Sequence, residues 1–174
     1  AIVAQVLAGL NGITGPVLDL YAGVGSFSLP LAARCRVHAV DGNAQAVTAL
    51  KNAADNAGLS SLSTERRDLV HRPLLMKELD KYEAAVLDPP RAGAREQVLE
   101  LALASKLKRI VMISCNPATL SRDLAILKDN GWCLDSVVPI DQFLWSPHLE
   151  LAAILHRTIK KLEGSDYENE GRAD

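Results

Sequence analysis

Three side chains of reactive type fall at positions that read as strand ends: Cys115 in Ser114-Cys115-Asn116-Pro117, Asp88 in Asp88-Pro89-Pro90-Arg91, and Glu150 in Trp145-Ser146-Pro147-His148-Leu149-Glu150. A helix beginning after Pro117 would turn backbone N–H groups toward Cys115, an electropositive setting that favours the reactive thiolate. On that reading Cys115 is a nucleophile; the plainer reading is a small buried hydrophobe. Glu150, near apolar Phe143, Leu144 and Leu149, has the surroundings that raise a carboxylate's proton affinity into the range of a general base. A solvated strand-end carboxylate is the alternative, and His148 is the other candidate acid or base. The double proline after Asp88 stiffens a turn that aims its carboxylate at the same cleft, or else is a rigid loop start and nothing more.

The stretch that would hold these groups in one place is Val17-Leu18-Asp19-Leu20-Tyr21-Ala22-Gly23-Val24-Gly25, a short apolar strand running into a glycine turn and then a helix over residues 26–33. The bare backbone at Gly23 and Gly25 lets a ligand come close, although a turn with no ligand has the same pattern. Ser28 occupies the place where a dinucleotide fingerprint has its third glycine, so the pattern is Asp-x-x-x-Gly-x-Gly. Asp19 suits a cationic or amine-bearing ligand. Asp41 ends the next apolar run about 20 residues on, where an acid can accept from both hydroxyls of a ribose.

Apolar runs predict seven strands, near residues 17–20, 37–40, 63–67, 84–87, 109–113, 133–140 and 149–155. Helical spacing predicts helices over 1–10, 43–57, 73–79, 95–103 and 118–130, besides the one after the glycine turn. Such alternation implies an α/β fold with a mostly parallel sheet, helices on both faces and ligand chemistry at the carboxyl ends of the strands. With 174 residues and 48% hydrophobic content, one domain over residues 1–161 is expected, followed by a flexible acidic tail over 162–174. The first helix opens with neither a capping residue nor a methionine, which suggests a domain from a longer protein. A formal charge of -2 argues against gripping nucleic acid by bulk electrostatics. Three widely spaced cysteines suggest no disulfide framework and no metal cluster, which fits a reducing cytoplasm; Cys35 and Cys133 read as structural. No 18-residue apolar run or signal peptide is evident, so no membrane span is expected.

The glycine turn with Asp41 resembles the S-adenosylmethionine site of Rossmann-like class I methyltransferases. That resemblance implies that Asp19, Tyr21, Gly23 and Gly25 flank the methionine end of the donor, Asp41 holds its ribose, and Asp68 contacts its adenine. It narrows with four segments in order: Asp19-Leu20-Tyr21-Ala22-Gly23-Val24-Gly25-Ser26-Phe27, Asp88-Pro89-Pro90-Arg91-Ala92-Gly93, Ser114-Cys115-Asn116-Pro117-Ala118-Thr119-Leu120, and His148-Leu149-Glu150. Over residues 17–155 the chain is similar to the RNA uracil-5-methyltransferase family. The resemblance implies methyl transfer from S-adenosylmethionine to carbon 5 of a uridine in rRNA or tRNA. Cys115 would be the nucleophile, Glu150 the base, and Asp88 a group orienting uracil or donor, with Arg91 and Asn116 on the substrate side and no metal. Full members of the family carry a Phe-x-Gln-x-Asn segment before the first helix, often an RNA-binding barrel, and in some branches a four-cysteine iron-sulfur cluster. None is in this sequence, so RNA is expected to be engaged largely through domains outside it. The rivals are an RNA cytosine-5-methyltransferase, whose cysteine usually follows an acidic-Pro turn where Pro90 and Arg91 stand here, another S-adenosylmethionine-dependent methyltransferase, and a non-catalytic donor-binding module.

Overall fold

The structure, a computed structural model, describes residues 1–141 and 149–157. His148 and the apolar neighbours Phe143 and Leu144 lie outside the described residues, as does the 162–174 tail. Seven strands form one sheet in the order β3-β2-β1-β4-β5-β7-β6. They are β1 (Val17–Leu20), β2 (Val37–Asp41), β3 (Leu62–Arg66), β4 (Ala84–Leu87), β5 (Arg109–Ser114), β6 (Trp132–Ile140) and β7 (Glu150–Arg157).

The sheet is mixed rather than wholly parallel, so the expectation of a mostly parallel one holds only roughly. The first five strands pair in parallel, but β7 lies between β5 and β6 and runs antiparallel to both. Apolar spacing within a strand is the same in either direction, so it could not show the reversal. The chain order reverses between β1 and β4, which opens a crevice beyond the carboxyl ends of the strands.

Alternate residues of the central strands feed two cores. Leu18, Leu20, Leu87, Ile110 and Met112 pack against α5 (Arg95–Leu103) and α6 (Pro117–Asp129) through Val98, Leu101, Leu120 and Leu127. Val17, Val86, Val111 and Ile113 face the other way, onto Val6 of α1 (Ile2–Gly9) and Leu31 of α2 (Ser28–Ala32). Helices therefore cover both faces. In α3 (Ala44–Asn56), Asn43 caps the start by accepting from the N–H groups of Gln45 and Ala46. The helix expected over 73–79 is confined to α4 (Met76–Leu79). Buried Gln97 accounts for the difference: its amide accepts from the Leu74 N–H at 2.8 Å and donates to the Leu74 carbonyl at 3.1 Å, engaging the carbonyl that a helix from residue 73 would use. Among the described residues no helix is long and apolar enough to cross a membrane, and no group of His, Cys, Asp and Glu is placed to hold a metal ion.

Candidate active site

The loop after β1 takes left-handed backbone angles at three positions, of which only Tyr21 is strained. Gly23 and Gly25 have φ of +54° and +93°, and Tyr21, which is not a glycine, has φ of +60°. A side chain with a Cβ in that region costs on the order of 1–3 kcal/mol, and such residues concentrate at ligand sites. The two glycines differ in purpose. A Cβ on Gly23 would meet open space, whereas one on Gly25 would collide with Leu50 of α3. Gly25 therefore seats the loop on the helix, and Gly23 leaves the backbone open on the cleft side.

Asp41 fastens this loop to the end of β2. One carboxylate oxygen accepts from the Gly23 N–H at 2.9 Å and the other from the Asn43 N–H at 2.7 Å, which leaves lone pairs on both oxygens for further donors. Asp19 is fully buried; Ser28 donates its hydroxyl to Oδ2, while Oδ1 has no partner among the described residues. Burial, the nearby Asp88 and Asp41 charges and the opposing Ser28 hydrogen bond leave the Asp19 carboxyl pushed up to about 7. The serine in place of a third glycine thus has a task of its own, which sequence reasoning missed. A buried carboxyl with one bare oxygen accommodates an ammonium group.

Asp68 is exposed beyond β3. Its oxygens accept from the Val70 and His71 N–H groups and pair with the His71 ring at 2.8 Å, and the imidazole holds its carboxyl below the usual range. Asp68 bounds a cavity together with Gly42, next in sequence to Asp41.

Asp88 follows β4, its N–H donating to the Leu20 carbonyl at 3.2 Å. It keeps solvent exposure on one side, yet the atoms crowding the other side, and then the Glu150 charge, push its carboxyl up to about 6. On the neighbouring strand the Ser114 hydroxyl donates to the Asn116 carbonyl and accepts from the Asn116 N–H, both at 3.1 Å, closing a tight turn with half-buried Cys115 at its apex. In the antiparallel β5–β7 register Ser114 pairs with Leu151, so Cys115 and Glu150 are each the next residue beyond that pair, at the same end of the two strands. Glu150 is also paired with Ile140 of β6 and is half-buried.

Asn116, read from sequence as a substrate-side group, is occupied at both ends. Its Oδ1 caps α6 by accepting from the Ala118 N–H at 3.1 Å, and its Nδ2 donates to the Arg91 carbonyl at 3.0 Å. It joins the Asp88 loop to the Cys115 turn. Thr119 Oγ1 adds a bond to the same carbonyl, and buried Asp123 accepts from the Ala94 N–H at 2.9 Å while pairing with Arg122. Gly93 is obligatory beneath this staple, because a Cβ there would run into Arg122 and Asp123. The Arg91 side chain is exposed and forms no ion pair among the described residues; its main chain is what the fold uses.

The strand tips therefore gather Asp41, Asp88 and Glu150 around the buried Asp19, with a half-buried thiol at the tip of the next strand. Such a site attracts a cationic ligand and offers a nucleophile and a base for covalent chemistry.

Residues 2–158 match the family described as tRNA (Uracil-5-)-methyltransferase. An uncharacterized RNA methyltransferase of Brucella melitensis is 54% identical over 153 residues, which are 87% of this chain and 36% of that protein. The Pyrococcus abyssi tRNA (uracil-54, C5)-methyltransferase, solved with S-adenosyl-L-homocysteine, superposes with a TM-score of 0.74 at 28% identity, covering 87% of this chain and 37% of that one. The magnesium protoporphyrin IX methyltransferase of Synechocystis, solved with bound SAM, shares the fold with a TM-score of 0.66 at 21% identity, over 90% of this chain and 76% of its own. The chain spans little more than a third of the first two relatives.

Proposed function

The chain belongs to the tRNA (uracil-5-)-methyltransferase family, and from that premise we propose that it transfers a methyl group from S-adenosyl-L-methionine to carbon 5 of a uridine in RNA. What supports the reading is that Cys115 and Glu150 follow directly on the last β5–β7 pair, at one end of the sheet, with the Asp88 carboxyl close enough to feel Glu150.

The donor's needs match the residues present. Asp19, with its bare buried oxygen, suits the ammonium of the methionine moiety, beside Tyr21, Gly23 and Gly25; Asp41 suits the ribose hydroxyls, and Asp68 the adenine edge. When bound, the donor supplies an electrophilic methyl group on a sulfonium.

Carbon 5 of uracil is a weak nucleophile, and the thiol corrects this. The Cys115 thiolate adds to carbon 6, and the displaced electron pair makes carbon 5 enolate-like. After carbon 5 has accepted the methyl group, Glu150 removes the carbon-5 proton. That electron pair re-forms the ring double bond as the carbon–sulfur bond breaks and Cys115 departs. Asp88 orients the uracil imide or the donor, while Asn116 acts through main-chain geometry. The exposed Arg91 guanidinium is free for a phosphate or base edge. The target base must be unstacked to reach the thiol, which favours a loop or flipped nucleotide in rRNA or tRNA. RNA is engaged largely through parts of the protein beyond this chain, and a cytoplasmic setting suits both substrate and thiol.

The test is denaturing-gel and intact-mass analysis of the full-length protein incubated with 5-fluorouridine-substituted cellular RNA and S-adenosyl-L-methionine. Fluorine at carbon 5 cannot leave as a proton, so a methylated protein–RNA adduct is expected with wild type and none with Cys115→Ala. Equal activity in the variant would defeat the covalent reading.

A further inference from the structure

We propose that the flank built from β3, the loop after it and the approaches to β2 and β4 holds the RNA backbone, with Arg66 and Arg72 at the end nearest the cleft and Arg36 and Lys81 at the other. This rests on the reading of the protein as an RNA methyltransferase.

Asp41, Asp88 and Glu150 gather negative charge at the strand tips around the buried Asp19, which disfavours a polyanion there, so the phosphates must be held elsewhere. On the β3 flank the balance is opposite, because its acids are already answered. Arg67 pairs with Glu65 at 2.6 Å and Glu78 at 2.8 Å, the His38 ring meets Glu65 at 3.1 Å, and His71 engages Asp68. Arg36, Arg66, Arg72 and Lys81 form no ion pair among the described residues, and Lys81 feels Glu78 only at longer range.

These cations line concave surfaces. Arg66 and Arg72 share a cavity of about 340 Å³ with Gly42 and Asp68. Arg36 and Lys81 share one of about 640 Å³ with Ser60, Ser61, His38 and Tyr82, whose rings stack with centroids 6.0 Å apart. Guanidinium forks, an ammonium, hydroxyl donors and an aromatic pair are the groups that hold phosphates and sugars. Arg36 precedes Val37, which pairs with Leu62, and Arg66 pairs with Asp41. The two arginines thus stand five steps apart along the strands, about 16 Å, a span of backbone carrying several phosphates. Cations on an edge strand also discourage strand addition. That role accounts for Arg66 alone, since the other three lie off the strand.

The experiment measures binding of a fluorescent unmodified tRNA transcript to the full-length protein across a salt series, for wild type, Arg66→Glu/Arg72→Glu and Arg36→Glu/Lys81→Glu, with the corresponding Gln variants as milder versions. Melting temperature and S-adenosyl-L-methionine affinity are followed in parallel. Each charge-reversed pair is expected to weaken RNA binding about ten-fold or more at low salt and to reduce the log–log salt slope by about 1.5, with melting unchanged in both and donor affinity unchanged in the Arg36/Lys81 pair. Unchanged RNA affinity and slope in both pairs would overturn the proposal. So would loss of donor affinity with RNA affinity intact in the Arg66/Arg72 pair, which would give that cavity to the donor's adenosine. A wild-type protein that neither binds nor methylates RNA would defeat the underlying reading, whereas variants that bind and methylate normally would defeat the flank alone.

Discussion

Cys115 and Glu150 each stand one residue beyond the Ser114–Leu151 pair, at the same end of the sheet, because β7 runs against β5. Were β7 parallel to its neighbours, its first residue would lie at the opposite edge of the sheet, far from the thiol. The reversed strand is what delivers a strand-start carboxylate to an edge otherwise made of strand ends.

That placement predicts the behaviour of Glu150→Gln. Addition and methyl transfer remain possible, but the carbon-5 proton has no acceptor, so release should slow by about 10²-fold or more. Denaturing gels with ordinary uridine RNA should then show a methylated adduct that wild type does not accumulate. Release at the wild-type rate would assign the base elsewhere.

Buried Asp19 predicts how the ligand-free fold responds to pH. In the unfolded chain the group ionises near its ordinary 3.8, and in the fold near 7, so the folded state holds the proton more tightly. The stability this contributes is complete below the lower value and is lost as pH rises through the higher one, with a ceiling of about 4 kcal/mol for a shift of this size. Asp88, raised to about 6, acts in the same direction. Glu78, lowered to about 2 by Arg67, acts oppositely on the acid side. Melting temperature should therefore fall between about pH 5 and pH 7.5, and Asp19→Asn should flatten that fall. Identical pH profiles for variant and wild type would refute the assignment.

The staple beneath the Asp88 loop predicts a defect in chemistry rather than in donor binding. Asp123→Ala leaves the Ala94 N–H without its acceptor and strips Arg122 of its carboxylate partner, costing about 1–3 kcal/mol of stability, and loosens Asp88 relative to Cys115. The rate of adduct formation on 5-fluorouridine RNA should drop while S-adenosyl-L-methionine affinity stays near wild type. A matching loss of both would show that the staple serves the donor site.

The two loop glycines should separate cleanly. Gly25→Ala meets Leu50 at a strained φ and is expected to cost about 2–4 kcal/mol, partly restored by Leu50→Ala; calorimetric melting reads both. Gly23→Ala meets no protein atom, so its stability cost is only about 1–2 kcal/mol of backbone strain, whereas donor affinity should fall further than stability does. If Gly23→Ala binds the donor normally, the open side of that loop is not the donor's side.

Much of this was legible in the residues. Each predicted strand formed, because runs such as Ala84–Leu87 and Arg109–Ser114 are too apolar to lie anywhere but the core. Strand direction was not legible, and it governs where Glu150 points. The positive φ of Tyr21 escaped notice because such angles were sought only at glycines. Asp123 escaped because a helical acid normally reads as a solvated face, although it falls on the same stripe of α6 as Leu120, Leu124 and Leu127. An acid on an apolar stripe, downstream of a glycine loop with free N–H groups, was the available sign.

The sheet order also bears on how the chain assembles during synthesis. β6 emerges before β7 yet lies outside it, so β6 has no place to pair until β7 has entered between it and β5. Until then β5 presents an open apolar edge, Ile110 to Ile113, to any strand nearby. The insertion that closes this edge is the same event that sets Glu150 at the Cys115 end of the sheet. A nascent or truncated chain lacking β7 thus leaves that edge open to aggregation and lacks Glu150 beside the Cys115 turn.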